Sequence, residues 1–347
     1  MLKREEMGPM PQMTAMVLTT ERRLALEQRP LPTPCADQVL VDVELCGICG
    51  SDLHAPDLPQ VYRGGFILGH EPVGRIAALG REVTGWRVGQ RVSINPNGDI
   101  CGVCAFCRTG RFNFCVQATL ERAVGLQADG ALAGQVVTSA KTLHAVPDEM
   151  GPVESAWVEP AATALRAVRQ AGDLTGRSVL IVGGGPIGHL CCRLSRLFGA
   201  ARVWLMEPSP ERRAFAGASG VDRTFDPTRD ASDIERLGAD AVLECSGNEH
   251  GARAGLNALT PQGTMIVVGG GGHAGLDPLT ILLRELRVHG SFTYVDEFDQ
   301  AIGLLADSAL RVADLTTEIV GIEEAPSAFD RLRDARTMKI LIAPSQR

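Results

Sequence analysis

Residues Ser178–Gly188 read SVLIVGGGPIG, a short apolar run that leads directly into a glycine-rich turn. Gly183, Gly185 and Gly188 give this turn the spacing G-x-G-x-x-G. The first glycine permits a tight turn, the second lets a pyrophosphate approach the backbone, and the third lets the following helix pack against the strand. The segment therefore predicts a Rossmann domain, a doubly wound parallel sheet that binds a dinucleotide. The residues expected to contact the dinucleotide are Gly183, Gly185, Pro186, Ile187 and Gly188.

An acidic residue follows the turn at the distance that dinucleotide-binding domains use. Glu207 comes directly after the next predicted strand, Val203–Met206, about 20 positions beyond the turn. A carboxylate there hydrogen-bonds the ribose hydroxyls of NAD and repels the extra phosphate of NADP. Arg212 and Arg213 lie close by and could contact a 2′-phosphate. The sequence thus favours NAD over NADP, and it disfavours the alternative of a glycine-rich turn beside a merely solvated glutamate.

Strands and helices alternate around this turn, whereas the residues before it are rich in short strand-like runs. Val153–Gln170 and Ile187–Phe198 have helical patterns, and alternation of this kind predicts parallel βαβ units. Val39–Leu45 and Arg91–Ile94 look like strands of a mostly-β unit. We expect a disordered leader over residues 1–12, a mostly-β catalytic domain over 13–162, the Rossmann domain over 163–297, and a return to the catalytic domain over 298–347.

The composition excludes several classes of protein. Of the 347 residues, 45% are hydrophobic and 22% charged, and the net charge is −7. This balance argues against a nucleic-acid or anionic-membrane partner, since either needs a basic face. No apolar run approaches the roughly 18 residues that span a bilayer, and the first residues lack the apolar core of a signal peptide. We expect a cytoplasmic protein, in which ten cysteines favour metal binding over disulfides.

Four of the cysteines form a short cluster, Cys101, Cys104, Cys107 and Cys115. Four thiolates at this spacing suit a tetrahedral zinc site, and because no coordination position stays open, such a zinc is structural. An iron–sulfur site is the competing interpretation. The bacterial ferredoxin pattern, however, has a shorter last gap and a proline after the final cysteine, where this chain has Val116.

A second set of metal-binding residue types is split between two segments, Cys49-Gly50-Ser51-Asp52-Leu53-His54 and Gly69-His70-Glu71. A catalytic zinc uses three protein ligands and a water, and cysteine, histidine and glutamate all qualify. Asp52 could orient one of these metal ligands through a hydrogen bond without binding the metal itself. Taken alone, Cys49 and His70 would be a small buried residue and a loop histidine. Beside the other motifs, they indicate a second metal site.

In this order the motifs resemble those of the zinc-dependent medium-chain dehydrogenase/reductase family, the alcohol dehydrogenase superfamily. The resemblance extends over nearly the whole chain from about Thr14 and is strongest to the sorbitol and threonine dehydrogenase branch. It implies a GroES-like mostly-β catalytic domain joined to the Rossmann domain, and two zinc ions per chain. By analogy it also implies a homotetramer or homodimer.

The resemblance assigns roles to individual residues. Cys49 and His70 match ligands of the catalytic zinc, Ser51 matches the hydroxyl that contacts the substrate oxygen, and His54 matches a member of the proton relay. Glu71 matches a glutamate that can ligate the metal. The remaining matches are the structural zinc ligands Cys101, Cys104, Cys107 and Cys115, the NAD pocket of Gly183, Gly185, Gly188 and Glu207, and Arg212 near the adenosine.

The sequence leaves two candidates for the third protein ligand of the catalytic zinc. The alcohol dehydrogenases proper supply a third, cysteine ligand just before the coenzyme domain, but this chain has no cysteine between Cys115 and Cys191. Trp157-Val158-Glu159-Pro160 instead resembles the Glu-Pro of the polyol branch. Either Glu71 or Glu159 is therefore expected to complete the site.

The reaction implied is reversible oxidation of a primary or secondary alcohol or polyol to an aldehyde or ketone, with hydride transfer to NAD. A zinc-dependent threonine-type or sugar dehydrogenase is an alternative. A zinc-free enoyl or quinone reductase would lack the Cys49, His70 and Glu159 set. A non-catalytic NAD-binding relative would have no need of Ser51 and His54.

Overall fold

The structure, a computed structural model, describes residues 11–271 and 276–344. The leader expected over residues 1–12 lies almost wholly outside these residues, and Gln12 already begins the first strand. Among the described residues, no helix has the length and apolar character that crossing a membrane requires.

The described residues form strands, α-helices and short 3-10 helices. The strands are β1 (Gln12–Leu18), β2 (Leu24–Pro30), β3 (Gln38–Gly47), β4 (Phe66–Ile67), β5 (Glu71–Leu79), β6 (Arg91–Ile94), β7 (Gln135–Ser139), β8 (Leu143–Ala145), β9 (Ser178–Val182), β10 (Arg202–Met206), β11 (Arg223–Phe225), β12 (Ala239–Glu244), β13 (Leu259–Val267), β14 (Arg287–Gly290), β15 (Glu318–Gly321) and β16 (Ile340–Ala343). The α-helices are α1 (Ala105–Arg108), α2 (Val116–Leu120), α3 (Pro152–Ser155), α4 (Val158–Gln170), α5 (Pro186–Leu197), α6 (Pro210–Arg213), α7 (Ala231–Glu235), α8 (Glu249–Ala258), α9 (Pro278–Leu283), α10 (Glu297–Ala306) and α11 (Ala325–Arg331). The 3-10 helices are η1 (Gly50–Asp57), η2 (Phe112–Phe114), η3 (Ala140–Thr142), η4 (Ala214–Ser219), η5 (Ala313–Leu315) and η6 (Ile322–Glu324).

The chain divides into two compact units. The first comprises Met1–Ala156, Glu318–Arg331 and Ile340–Arg347, and the second comprises Trp157–Thr317 and Leu332–Lys339. The chain thus leaves the first unit after Ala156, returns to it at Glu318, and crosses once more to the second unit for Leu332–Lys339. The domain boundaries expected from the sequence, at 162/163 and 297/298, remain a prediction.

The second unit is built on a six-stranded sheet in which every neighbouring pair is parallel. The strand order is β11-β10-β9-β12-β13-β14, so the direction of winding reverses at β9. This is the doubly wound order of a Rossmann domain, in which ligands bind at the carboxyl ends of the strands beside the reversal. The predicted fold of this part of the chain is confirmed.

The turn after β9 is shaped by its glycines. Val179–Val182 is buried throughout, as expected for a central parallel strand. Gly185 is the N-cap of α5 and Pro186 its first residue, a position where the missing N–H costs nothing. A Cβ at Gly188 would overlap the carbonyl oxygen of Gly183, so only glycine lets α5 approach the strand this closely.

The first unit is mostly β, as expected. Its larger sheet runs β15-β16-β3-β5-β6-β8, with β7 paired to β3, and its smaller sheet runs β2-β1-β4. β3 and β5 are antiparallel, and Gly47, the last residue of β3, lies opposite Glu71, the first residue of β5. This register brings the segment that follows β3 next to the residues that open β5, although more than twenty positions separate them in the chain.

The single helix predicted over Val153–Gln170 is two helices, α3 and α4, separated at Ala156 and Trp157. Pro160 explains the break, because it has no N–H to donate to the carbonyl oxygen of Ala156, and its ring is tolerated only in the first turn of a helix. Another short α-helix, α6, is likewise followed directly by a 3-10 helix, η4.

Candidate active site and metal centres

The ends of β3 and β5 bring together three potential metal ligands. One ligand atom from each of Cys49, His70 and Glu71 lies within 4.8 Å of the others. His70 and Glu71 are buried, and Cys49 is half-buried. One sulfur, one imidazole nitrogen and one carboxylate oxygen are the donor types that zinc takes in catalytic sites. The residues present therefore fit a zinc ion with an open coordination position.

Asp52 lies behind these ligands and is fully buried. Its Oδ2 accepts a hydrogen bond from the backbone N–H of Cys49 at 2.9 Å, and its Oδ1 lies 3.4 Å from Nδ1 of His70. Burial acts to lower the pKa of His70, but the Asp52 carboxylate outweighs it, and the pKa lies well above its usual value. Because Nδ1 is the ring nitrogen that faces Asp52, a neutral His70 with its proton on Nδ1 would leave Nε2 for a metal, as is usual for metal-binding histidines.

The two predicted relay residues lie on η1, the 3-10 helix after Cys49. Ser51 is half-buried, and its Oγ lies 2.7 Å from the phenol oxygen of Tyr62. His54 lies on the same short helix and is exposed. The structure thus joins Ser51 to a residue that the sequence did not single out.

Tyr62 is 0% exposed, and its hydroxyl also donates to Oδ1 of Asp52 at 3.1 Å. Burial and the nearby Asp52 carboxylate raise the pKa of Tyr62 well above its usual value, so its phenol keeps its proton. Tyr62 belongs to no metal or nucleotide motif, and it lies in the loop between η1 and β4. The signal in the sequence that could have drawn attention to Tyr62 is the rarity of tyrosine, since the chain has only two.

The segment that carries Ser51 and Tyr62 is fastened by an arginine from the β1–β2 turn. The Arg22 guanidinium donates to the carbonyl oxygens of Ala55, Pro56 and Tyr62, the last two at 2.8 Å. Arg22 itself has a φ of 63°, which is unusual for a residue other than glycine. One side chain therefore holds the end of η1 and the backbone of Tyr62 together.

The four clustered cysteines also converge. One sulfur from each of Cys101, Cys104, Cys107 and Cys115 lies within 4.8 Å of the others. Backbone N–H groups donate to these sulfurs, for example from Cys104 to Cys101 at 3.4 Å and from Cys107 to Cys104 at 3.5 Å. The N–H groups of Val103 and Cys104 lower the pKa of Cys101 to about 6. Amides aimed at sulfur favour thiolates, so the cluster fits a four-cysteine zinc site.

In the second unit, Glu207 is buried beside the glycine-rich turn. Its Oε2 accepts from the N–H of Gly184 at 2.7 Å, and its Oε1 accepts from the N–H of Ser209 at 2.8 Å. Arg213 is occupied, because its guanidinium donates to backbone carbonyls and faces Asp226. Arg212 differs, since its buried Nε has no hydrogen-bond partner in the part of the chain that the structure describes.

Glu159, the other candidate for the third zinc ligand, belongs to the second unit. It lies in the first turn of α4, and its Oε1 accepts a hydrogen bond from Thr163 at 3.4 Å. Within residues 11–271 and 276–344, the group of close ligand atoms around Cys49 contains Glu71. A role for Glu159 at the metal remains a prediction.

A mostly-β unit with two metal-type ligand groups, together with a Rossmann unit, defines the class of zinc-dependent dehydrogenases. Residues 35–148 match the alcohol dehydrogenase GroES-like domain, and residues 186–307 match the zinc-binding dehydrogenase domain. The chain is 33% identical over 344 residues to D-xylulose reductase A of Aspergillus oryzae, an alignment that covers 94% of this chain and 95% of that protein. The chain therefore belongs to the zinc-dependent medium-chain dehydrogenase/reductase family, as its motifs predicted.

Solved structures agree with this assignment. A protein of Sinorhizobium meliloti 1021, bound to NADP, superposes with a TM-score of 0.89 at 31% identity, covering 96% of this chain and 100% of that one. L-idonate 5-dehydrogenase of Escherichia coli superposes with a TM-score of 0.86 at 26% identity, covering 96% of this chain and 98% of that one. The GroES-like and Rossmann architecture expected from the sequence is confirmed.

Proposed function

We propose that this chain is a zinc-dependent oxidoreductase that reversibly converts a primary or secondary alcohol or polyol into an aldehyde or ketone, with NAD as the hydride acceptor. The observation that carries the proposal is the convergence of the Cys49, His70 and Glu71 ligand atoms, with the Ser51 hydroxyl two residues from Cys49. The names of two relatives, D-xylulose reductase and L-idonate 5-dehydrogenase, support a polyhydroxylated substrate.

Each site residue has a distinct role in this proposal. Zinc bound by Cys49, His70 and Glu71 supplies the Lewis acidity that makes a hydroxyl easier to deprotonate. Ser51 accepts the hydrogen bond of the substrate hydroxyl, and His54, which is exposed, exchanges the released proton with solvent. We favour Glu71 over Glu159 as the third ligand, because the Glu71 carboxylate already lies within the ligand group.

The coenzyme is proposed to lie on the turn formed by Gly183, Gly185, Pro186, Ile187 and Gly188, with its ribose at Glu207. The Glu207 carboxylate is held in place by two backbone N–H groups, and a fixed negative charge there disfavours a 2′-phosphate. Arg212 is proposed to lie along the adenosine. Its Nε has no hydrogen-bond partner among the described residues, and the similar Sinorhizobium meliloti protein is bound to NADP. Both features support NADP, so both coenzymes belong in the test.

The second zinc is proposed to be structural and bound by Cys101, Cys104, Cys107 and Cys115. Four protein sulfurs complete a tetrahedral site, so no position remains for a substrate. We also propose a reducing, cytoplasmic environment, because the ten cysteines, all of them among the described residues, form no disulfide.

The test is a spectrophotometric NAD(P)H assay of the zinc-loaded protein against alcohols, polyols, sugars and L-threonine, with each coenzyme in turn. We expect turnover of a polyol or alcohol with NAD, and its loss in Cys49→Ser and His70→Ala while NADH still binds. Cys35→Ser is the matched control, because Cys35 is an exposed cysteine outside both ligand groups. Full activity in either ligand variant would refute the metal role, and a panel without any turnover would refute the function.

We further propose a homodimer or homotetramer. Strand β14 forms one edge of the six-stranded sheet, and α9, which precedes it, exposes leucine side chains. Leu282 is 71% and Leu283 73% exposed, more than an isolated chain is expected to leave uncovered on one short helix. Light scattering of the purified protein gives the mass, and Leu283→Lys should shift an oligomer toward smaller species. A monomeric wild-type protein would contradict this part of the proposal.

A further inference from the structure

The hydroxyl of Ser51, the residue proposed to meet the substrate, is hydrogen-bonded to Tyr62 at 2.7 Å. Tyr62 in turn donates to Asp52 at 3.1 Å. We propose that Tyr62 is a positioning residue that fixes Ser51 as a hydrogen-bond acceptor toward the substrate. The inference rests on the proposed function and adds to it a direction for the hydrogen bonds of the site.

The direction follows from counting protons. An ionised carboxylate only accepts hydrogen bonds, and a phenol or a serine hydroxyl has one proton to donate. Asp52 also accepts a hydrogen bond from the N–H of Cys49, and its Oδ1 lies 3.4 Å from Nδ1 of His70, so these neighbours favour Asp52 as an acceptor. The Tyr62 proton therefore points to Asp52. Ser51 must then give its own proton to Tyr62, and the lone pairs of its oxygen are what it can offer to a ligand.

This chain of hydrogen bonds is rigid. Tyr62 is fully buried, its backbone carbonyl is held by Arg22, and Asp52 is fully buried as well. Arg22 also holds the carbonyl oxygens of Ala55 and Pro56, at the end of the helix that carries Ser51. The Tyr62 end of the Ser51–Tyr62 contact is therefore held in place, and its phenol oxygen gives the Ser51 hydroxyl a fixed acceptor.

A fixed acceptor discriminates between ligands. An alcohol can donate its O–H to the lone pair of Ser51, whereas a ligand that has only an acceptor oxygen finds no proton there. If Tyr62 loses its hydroxyl, the Ser51 hydroxyl no longer donates a hydrogen bond to Tyr62. Ser51 can then donate that hydrogen bond to such a ligand. Tyr62 therefore sets the preference of the site for a hydroxyl over an acceptor-only oxygen.

The experiment compares two probes on the zinc-loaded protein saturated with NADH, where neither probe reacts. The probes are propan-2-ol, which donates and accepts, and N,N-dimethylformamide, which only accepts. Calorimetric titration gives the ratio of the dissociation constant of the amide to that of the alcohol. We expect Tyr62→Phe to lower this ratio about tenfold, since one hydrogen bond is exchanged for another of opposite direction. We expect a similar fall in kcat for alcohol oxidation, with the KM for NAD unchanged.

Thr138→Val is the matched control. It removes a buried hydroxyl from the Thr138–Thr142 pair, 2.9 Å apart in the same unit, and leaves Ser51 alone. The ratio should stay at the wild-type value even if thermal stability falls as it does in Tyr62→Phe. A fall in the ratio of equal size in this variant would overturn the inference, because loss of packing alone would then explain it.

A double-mutant cycle with Ser51→Ala tests whether Tyr62 acts through Ser51. Once Ser51 is alanine, adding Tyr62→Phe should no longer change the ratio. If the phenylalanine variant does not fold, Ser51→Ala alone decides, since it should lower the ratio with Tyr62 intact. A ratio that neither substitution changes overturns the inference alone. A wild-type protein that binds neither probe and oxidises no alcohol overturns the proposed function, and the inference with it.

Discussion

Gly47 has no side chain, and this leaves room for the carboxylate of Glu71, the proposed third ligand of the catalytic zinc. It ends β3 directly opposite Glu71, and a Cβ at this position would overlap Oε2 of Glu71 and lie 3.2 Å from its Cδ. The obstacle is the far end of a flexible side chain and not the backbone. Gly47→Ala should therefore push the Glu71 carboxylate away by more than about 1 Å to restore ordinary contact distances, and leave the sheet in place.

The size of the effect follows from the metal. Zinc–carboxylate bonds are about 2.0–2.2 Å long, so a displacement of this size breaks ligation by Glu71. We expect zinc affinity at this site to fall roughly 10- to 100-fold, the range found when the support of a ligand is lost. Turnover at limiting zinc should fall in proportion. The free energy of unfolding should change by less than about 1 kcal/mol, because alanine is favoured over glycine in a strand.

The assay pairs zinc competition against a chromogenic chelator with turnover and a thermal melt. Gly321→Ala is the control, because Gly321 also ends a strand of the first unit, β15, and nothing lies within 4 Å of the Cβ position. Wild-type zinc affinity and full turnover in Gly47→Ala would mean that Glu71 is not a ligand, and would leave the position to Glu159. Loss of folding would refute the claim that only the carboxylate has to move.

Three further outcomes are expected. Removing zinc from the four-cysteine cluster with a chelator should lower the melting temperature by about 5–10 °C, which corresponds to a few kcal/mol of unfolding free energy for a unit of this size. A metal-free chain that is equally stable would contradict the structural role. Burial lowers the pKa of His189 from 6.5 to about 4, so as the pH falls from 6.5 toward 4 only the unfolded chain takes up the proton. Stability should drop over that window by up to roughly 3 kcal/mol, and urea unfolding of His189→Gln should show a flatter pH dependence. Gly188→Ala should weaken NADH binding by at least about tenfold, because its Cβ would overlap the carbonyl oxygen of Gly183, and a fluorescence titration with an unchanged affinity would show that the turn tolerates the methyl group.

Local patterns were enough to predict the glycine-rich turn and the four-cysteine cluster. In both, the residues that act together are close in the chain, so their spacing alone constrains the geometry. The strand β6 and the core of β9 were likewise readable from short apolar runs between turn residues. The helix break before α4 was also readable, because Pro160 stands in the sequence, but helical composition outweighed it in the prediction.

The catalytic group could not be derived from spacing. Cys49 and His70 are separated by a loop, and what brings them together is the register of β3 against β5, which pairs Gly47 with Glu71. Resemblance to a family predicted that Cys49 and His70 act together, but it did not predict the strand register. Tyr62 and Arg22 had no such support, because a tyrosine in a loop and an arginine in a turn have no spacing signature. Their roles exist only once the folded backbone brings three carbonyl oxygens to one guanidinium and two hydroxyls within 2.7 Å.

The buried carboxylate of Asp52 explains why these parts of the site depend on one another. A charged group without solvent needs donors around it, and leaving one of them out costs about 1–3 kcal/mol or more. The N–H of Cys49 and the phenol of Tyr62 donate hydrogen bonds to Asp52, and Nδ1 of His70 lies 3.4 Å from its Oδ1. Each of them belongs to, or positions, a group that we propose to meet metal or substrate. The contacts that compensate the buried Asp52 carboxylate are therefore the same ones that, in the proposed function, orient the zinc ligands and the Ser51 hydroxyl.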